Sequence, residues 1–235
     1  MNPPPVSAFV GKGTVRLIPE TAHQTPVLDP LADDDQEREA LAEVEAVTSR
    51  RLMIERGDVA EVDPRELAFL ARGRHLRRWG DTHVNASFAY SREGAGNRFN
   101  GPGRGAWYCA LEDLTAIEEV AYHRTRELGY IGRYEDERLY QAILADFIGE
   151  FPDLRPAQGR PAALDPDPAA GYPAGQALAE QLQAEGHLGL LYPSVRAPGG
   201  TCFVAFAPQI VQNLRPGARW KLIWEGAPAF RVEQG

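Results

Sequence analysis

Residues 96–123 read GNRFNGPGRGAWYCALEDLTAIEEVAYH and pass from glycine-rich loop to apolar strand to helix in one short stretch. The loop starts slightly earlier: the thirteen residues Glu93 to Gly105 hold five glycines. Glycine lets a backbone come close to a ligand and take up positive φ. Ala106 to Leu111 combines aromatic, alanine and cysteine residues in a run short enough for a buried strand. Thr115-Ala-Ile-Glu118 reads as a capping box, and Ile117, Val120, Ala121 and Leu128 extend a helical stripe toward Gly129.

Several side chains here have two readings. Arg98, with Arg104 nearby, offers a forked donor suited to phosphate oxygens. The loop has neither the Gly-Lys-Ser/Thr of a P-loop nor GxGxxG spacing, so it is either a phosphate cradle or a plain hairpin loop. At about 100° per residue, Glu119 lies nearly opposite the apolar stripe, on a solvated face or toward a cleft made with the loop. Tyr108 is a core aromatic, or a ring that stacks on a flat ligand while its hydroxyl bonds a sugar or carbonyl. Ser194, in LLYPSVR, lacks the GxSxG elbow of a hydrolase nucleophile and is a turn residue or a hydroxyl donor at a strand end.

Working outward, residues 1 to about 33 are proline-rich and read as an irregular arm. Asp33 to Arg56 reads as a helix with an acidic start, a basic end and Gly57 as its stop. Asp63-Pro-Arg-Glu66 opens a second helix to about Gly73. This divides the chain into an N-terminal arm and helical segment over 1–73 and a second domain over 74–235. In the latter, His83 to Tyr90 is strand-like, Leu139 to Ile148 is ambiguous between helix and strand, and Pro152 to Pro173 reads as a loop. Ala174 to Glu185 follows as a helix, then strands at Gly189 to Val195, Thr201 to Ala207 and Trp220 to Trp224. The fold class is α+β, a mixed β-sheet core with an N-terminal helical segment.

Composition narrows the function. At 235 residues the chain is long enough to bury a real core, and a hydrophobic content of 43% with 25% charged residues is ordinary for a globular protein. A net charge of −8 argues against reading a nucleic-acid backbone. The two cysteines form no CxxC pair, and the five histidines show no HExxH spacing, so no metal site is expected. With no signal-peptide pattern and no apolar run of membrane length, a cytoplasmic, membrane-free protein is expected.

Taken together, these residues resemble the RES-domain family, toxins of bacterial toxin–antitoxin pairs. The family pattern has Gly-Arg-Phe/Trp-Asn, a tyrosine ten residues after the arginine and a glutamate eleven after that; Arg98, Tyr108 and Glu119 meet both spacings. Leu190-Leu-Tyr-Pro-Ser194 is similar to its downstream Pro-Ser pair, and the likeness runs over roughly residues 74 to 207. The chain departs from the pattern at Ala197-Pro-Gly-Gly-Thr-Cys, where the family carries asparagine. The family's arginine near the domain start has three candidates here, Arg74, Arg77 and Arg78, with Arg74 preferred.

The resemblance implies a core like that of ADP-ribosyltransferase toxins and an enzyme that breaks the nicotinamide–ribose bond of NAD+. Glu119 would stabilise the oxocarbenium-like ribose, Arg98 would hold a phosphate or ribose, Tyr108 would stack on nicotinamide and Ser194 would bond the amide or ribose. Arg74 and Asn100 join Arg98, Tyr108 and Ser194 in binding NAD+. ADP-ribose would pass to a cellular protein; NAD+ phosphorolysis or hydrolysis is the alternative. An antitoxin with a helix-turn-helix-type DNA-binding domain is the implied partner. A non-catalytic nucleotide-binding module, and a hydrolase using Ser194, are the rivals from other classes.

Overall fold

The computed structural model describes residues 3–20, 81–89 and 96–235. In chain order these form β1 (Val6–Pro19), α1 (Asp81–Ala89), β2 (Trp107–Ala110), α2 (Asp113–Ile131), β3 (Glu135–Pro152), α3 (Pro168–Ala184), β4 (Gly189–Pro193), β5 (Thr201–Ala205), β6 (Gln212–Glu225) and β7 (Phe230–Gln234). The strands make one sheet in the order β4-β5-β2-β1-β3-β6-β7. The fold is α+β, as expected, but the sheet is not mixed. Among the described residues every strand pair is antiparallel, and the one parallel contact is an isolated bridge between Asp153 and Leu191. Short links such as 194–200 and 226–229 return the chain against its neighbour, which favours antiparallel pairing.

The proline-rich N-terminus is not an irregular arm. β1 lies between β2 and β3 and pairs with β3 from Val6↔Pro152 to Pro19↔Tyr140. It therefore belongs to the same sheet as residues 107–234, and a boundary at 73 does not separate it from them. Gly11-Lys12-Gly13 conceals the alternation: the register shifts between Gly11 and Thr14, and Gly13 sits at φ 68°. This is a β-bulge, where one extra residue bends the strand and breaks the period. Asp146 on β3 secures it, its Oδ1 accepting from the Gly13 amide at 2.7 Å. The expected helices over 33–56 and 63–73, and Arg74, Arg77 and Arg78, lie outside the described residues.

Leu139 to Ile148 resolves as part of β3, whose Tyr140, Ala142, Ile143, Ala145 and Phe147 are all buried. One sheet face packs Val15, Leu17 and Leu190 against Ile117 and Ala121 of α2 and Leu178 and Leu182 of α3. The other face gathers Phe9, Trp107, Phe147 and Phe151 around Phe203, whose ring centroid is 4.5 Å from that of Phe147 and 4.9 Å from that of Phe151.

Several boundaries differ from the sequence reading. His83 to Ala89 is helical, not strand-like. Val84, fully buried, and Phe88 pack against the second core at i,i+4 spacing, and Ser87 Oγ donates to the His83 carbonyl at 2.8 Å. α2 starts at Asp113, so Thr115 is not its cap; it is buried beneath Gly200, and the helix ends at Gly132 (φ 72°) rather than Gly129. α3 starts at Pro168 inside the expected loop, capped by Asp167, whose carboxylate accepts from the Ala169 amide at 3.0 Å. β6 is longer than 220–224 and tolerates Pro216 because β7 pairs only with Trp220 to Trp224, leaving that half of β6 an edge.

Candidate active site

A cavity of about 280 Å³ opens between the sheet and α2, walled by side chains from β1, β2, the 96–105 loop, α2, α3 and the 194–200 loop. Glu119 lines it, and Ser194, just behind the lining, donates from Oγ to Glu119 Oε1 at 2.6 Å. The serine also closes a turn: its Oγ accepts from the amides of Arg196 (3.1 Å) and Ala197 (2.8 Å). Both sequence readings of Ser194, turn residue and hydroxyl donor, therefore hold at once. Close packing sets the turn against α2, because a Cβ on Gly200 would sit 2.4 Å from Thr115 Oγ1. Glu119 thus lies at a cleft rather than on a solvated face. Cys202 Sγ, 3.8 Å from the same carboxylate oxygen, is buried and its thiol is held well above the usual range.

The glycine-rich loop is ordered by two polar side chains. The Tyr108 hydroxyl accepts from the Phe99 amide at 2.9 Å and donates to Asn100 Oδ1 at 2.7 Å. Asn100 Nδ2 donates to the Arg104 carbonyl at 2.7 Å. Burial pushes the Tyr108 phenol up, so it stays protonated at neutral pH. The hydroxyl serves the loop while the ring faces the cavity. Asn100 is 5% exposed, is not among the cavity-lining residues, and has both polar atoms committed.

Arg98 reaches the cavity between this loop and α3. Its Nη1 donates to the carbonyls of Ala163 and Asp165 at 2.8 Å each, and its guanidinium lies 5.3 Å from the Tyr172 ring centroid. Two α3 glycines make room for it: a Cβ at Gly171 would stand 2.5 Å from Arg98 Nη1, and one at Gly175 would stand 2.2 Å from the Arg98 carbonyl oxygen. A side chain at either position would displace the arginine.

Three lining residues escaped the sequence reading. Arg16, on β1, donates from Nη1 to the Tyr108 carbonyl at 3.1 Å and lies 4.8 Å from the Trp107 ring centroid. Its Nε is buried without a partner, and burial lowers its pKa. Arg196 stacks 3.4 Å over the Tyr122 ring and donates from Nη2 to the Pro166 carbonyl. His123 sits one helical turn beyond Glu119; burial and the nearby Arg126 and Arg196 push it down to about 4, so it is neutral at pH 7. Position i+4 from a candidate glutamate and the arginine two after Pro-Ser are signals a sequence reading could use. Arg16, read as part of an arm, left none.

Of the predicted set, the structure gathers Arg98, Tyr108 and Glu119 around the cavity, ties Ser194 to it through Glu119, places Asn100 behind the loop, and does not describe Arg74. Among the described residues the cavity is lined by one carboxylate facing three guanidiniums, with His123 neutral. Such a wall attracts an anionic ligand, while the carboxylate stabilises positive charge developing beside it.

A model of the RES domain family matches residues 73–225. No curated protein matches the chain. Among solved structures, a chain of the M. tuberculosis MbcT–MbcA toxin–antitoxin complex is 21% identical, with a TM-score of 0.35, covering 56% of this chain and 75% of that one.

Proposed function

The chain belongs to the RES domain family, and from that premise we propose that it is the toxin of a bacterial toxin–antitoxin pair and cleaves the nicotinamide–ribose bond of NAD+ in the cytoplasm. The observation that carries the reading is Glu119, held by Ser194 at 2.6 Å, lining a cavity walled by Arg16, Arg98 and Arg196. Breaking the glycosidic bond expels neutral nicotinamide and leaves an oxocarbenium-like ribose. In this reading Glu119 stands against that ribose and stabilises its charge, while Ser194 fixes the carboxylate.

Arg98 and Arg16 take the nicotinamide-side ribose and the phosphate attached to it. Arg16 adds a guanidinium to that wall, and Arg74, which lies outside the described residues, is proposed to join it. The ring of Tyr108 stacks on nicotinamide, and Asn100 acts by holding the loop that carries Arg98. The core is, in this reading, of the ADP-ribosyltransferase kind, and the acceptor is a side chain of a cellular protein. The partner is an antitoxin of helix-turn-helix type that closes the cavity. Expression of the chain alone should arrest growth, and Glu119→Ala should relieve the arrest. An alanine variant as toxic as the parent, at equal protein level, would remove Glu119 from the reaction.

A further inference from the structure

The cavity is too small for a whole dinucleotide. Pockets for drug-sized ligands span roughly 300–1,000 Å³, and this one holds about 280 Å³. If Glu119 and Ser194 receive the nicotinamide riboside, the rest of the substrate must leave past the cavity wall. A second, more open groove of about 1040 Å³ lies along α2 and β7, lined by Tyr122, Arg126, Tyr130, Tyr134, Arg196 and Phe230. Arg196 lines both spaces.

We propose that this groove is the seat of the adenosine half of the dinucleotide, an inference that rests on the NAD+ reading above. Helix geometry sets the spacing. Glu119 and His123 face the cavity, whereas Tyr122, Arg126 and Tyr130 form the adjacent stripe of the same helix. At about 1.5 Å per residue, Arg126 lies about 10 Å and Tyr130 about 16 Å along the axis from Glu119. That order suits ribose, pyrophosphate and adenine in turn.

The chemistry of the groove follows the same order. Arg196 stands at the junction, its guanidinium 3.4 Å over Tyr122, so that this ring face is taken. Arg126 comes next, half-buried along the groove with its guanidinium 5.8 Å from the Tyr122 ring centroid, a charged partner for a phosphate oxygen. Beyond it, Tyr130 is 81% exposed, and Phe230 packs on Trp224 with ring centroids 5.8 Å apart. Each offers a free aromatic surface on which adenine stacks without base-specific hydrogen bonds.

The test compares NAD+ with nicotinamide mononucleotide, which carries the scissile bond and no adenosine. In the parent, kcat/KM for NAD+ should exceed that for the mononucleotide. In Tyr130→Ala and in Arg126→Gln the ratio of the two should fall about tenfold, the effect of one lost stack or charged contact. A ratio unchanged in both variants while NAD+ is still cleaved would overturn the assignment. Calorimetric titration of ADP-ribose into Glu119→Ala protein, with and without Tyr130→Ala, reads the groove without turnover. Binding that weakens with Tyr130→Ala supports the seat even if neither substrate is cleaved, an outcome that would sink only the cleavage reading. Binding indifferent to Tyr130 would count against the seat itself.

Discussion

The hydroxyl of Tyr108 shows how one atom separates two readings of a residue. From sequence, Tyr108 is either a core aromatic or a ring that stacks on a ligand while its hydroxyl bonds a sugar or carbonyl. In the structure the hydroxyl accepts from the Phe99 amide and donates to Asn100 Oδ1, leaving the ring alone for the cavity. Tyr108→Phe should therefore leave a buried amide and a buried carbonyl oxygen short of a partner, at a cost of about 1–3 kcal/mol. The denaturation midpoint should fall, and activity should fall with it as the loop carrying Arg98 loosens. A phenylalanine variant as stable as the parent but inactive would place the hydroxyl on the substrate instead. The spacing of Arg98, Tyr108 and Glu119 is legible because those three are local, whereas Ser194, 75 residues from Glu119, is reached only through the family resemblance. Asn100 was singled out with them, but its commitment to the Arg104 carbonyl depends on loop closure, which no spacing encodes.

At the scale of elements, α2 carries the carboxylate and the histidine on one face. His123 has its pKa pushed from 6.5 down to about 4, chiefly by burial, then by neighbouring arginines. The folded state thus disfavours the imidazolium. Above about pH 6.5 both folded and unfolded chains hold a neutral ring and the group adds no pH dependence. As pH falls from 6.5 toward 4 the unfolded chain takes up a proton that the folded one refuses, and stability drops by up to about 3 kcal/mol. His123→Gln should flatten that part of the profile. Unfolding free energies measured between pH 7 and pH 4 would check it, and equal slopes for parent and variant would contradict the account. The helix itself was readable from its apolar stripe, but Thr115 was misread as a cap. Its burial under Gly200 comes from a loop some eighty residues away, and local pattern carries no trace of it. α1 was misread for a similar reason: Val84 and Phe88 fit either period until the core behind them is known.

For the whole molecule, the consequential misreading was β1. The Gly11-Lys12-Gly13 bulge broke its alternation, so a central strand looked like an arm, and Arg16 was lost with it. Because β1 joins β2 to β3, a fragment starting at residue 73, where the family match starts, lacks the middle of its sheet. That fragment should show no cooperative thermal transition, while the full chain does; a fragment that melts cooperatively near the parent's temperature would contradict the topology. The net charge of −8, which argues against reading a nucleic-acid backbone, coexists with a cavity of three guanidiniums and one carboxylate among the described residues. Bulk charge and site charge are separate quantities, and only the fold shows where the arginines gather.

The central claim is that this cavity cleaves NAD+ through Glu119. The most direct measurement is mass spectrometry of NAD+ incubated with purified full-length protein and with Glu119→Ala, in buffer, with phosphate, and with cell lysate. The account predicts free nicotinamide from the parent, a rate lower by about a hundred- to a thousand-fold in the variant, and ADP-ribose carried on a lysate protein. Intact NAD+ under all three conditions, or equal release by parent and variant, would contradict it.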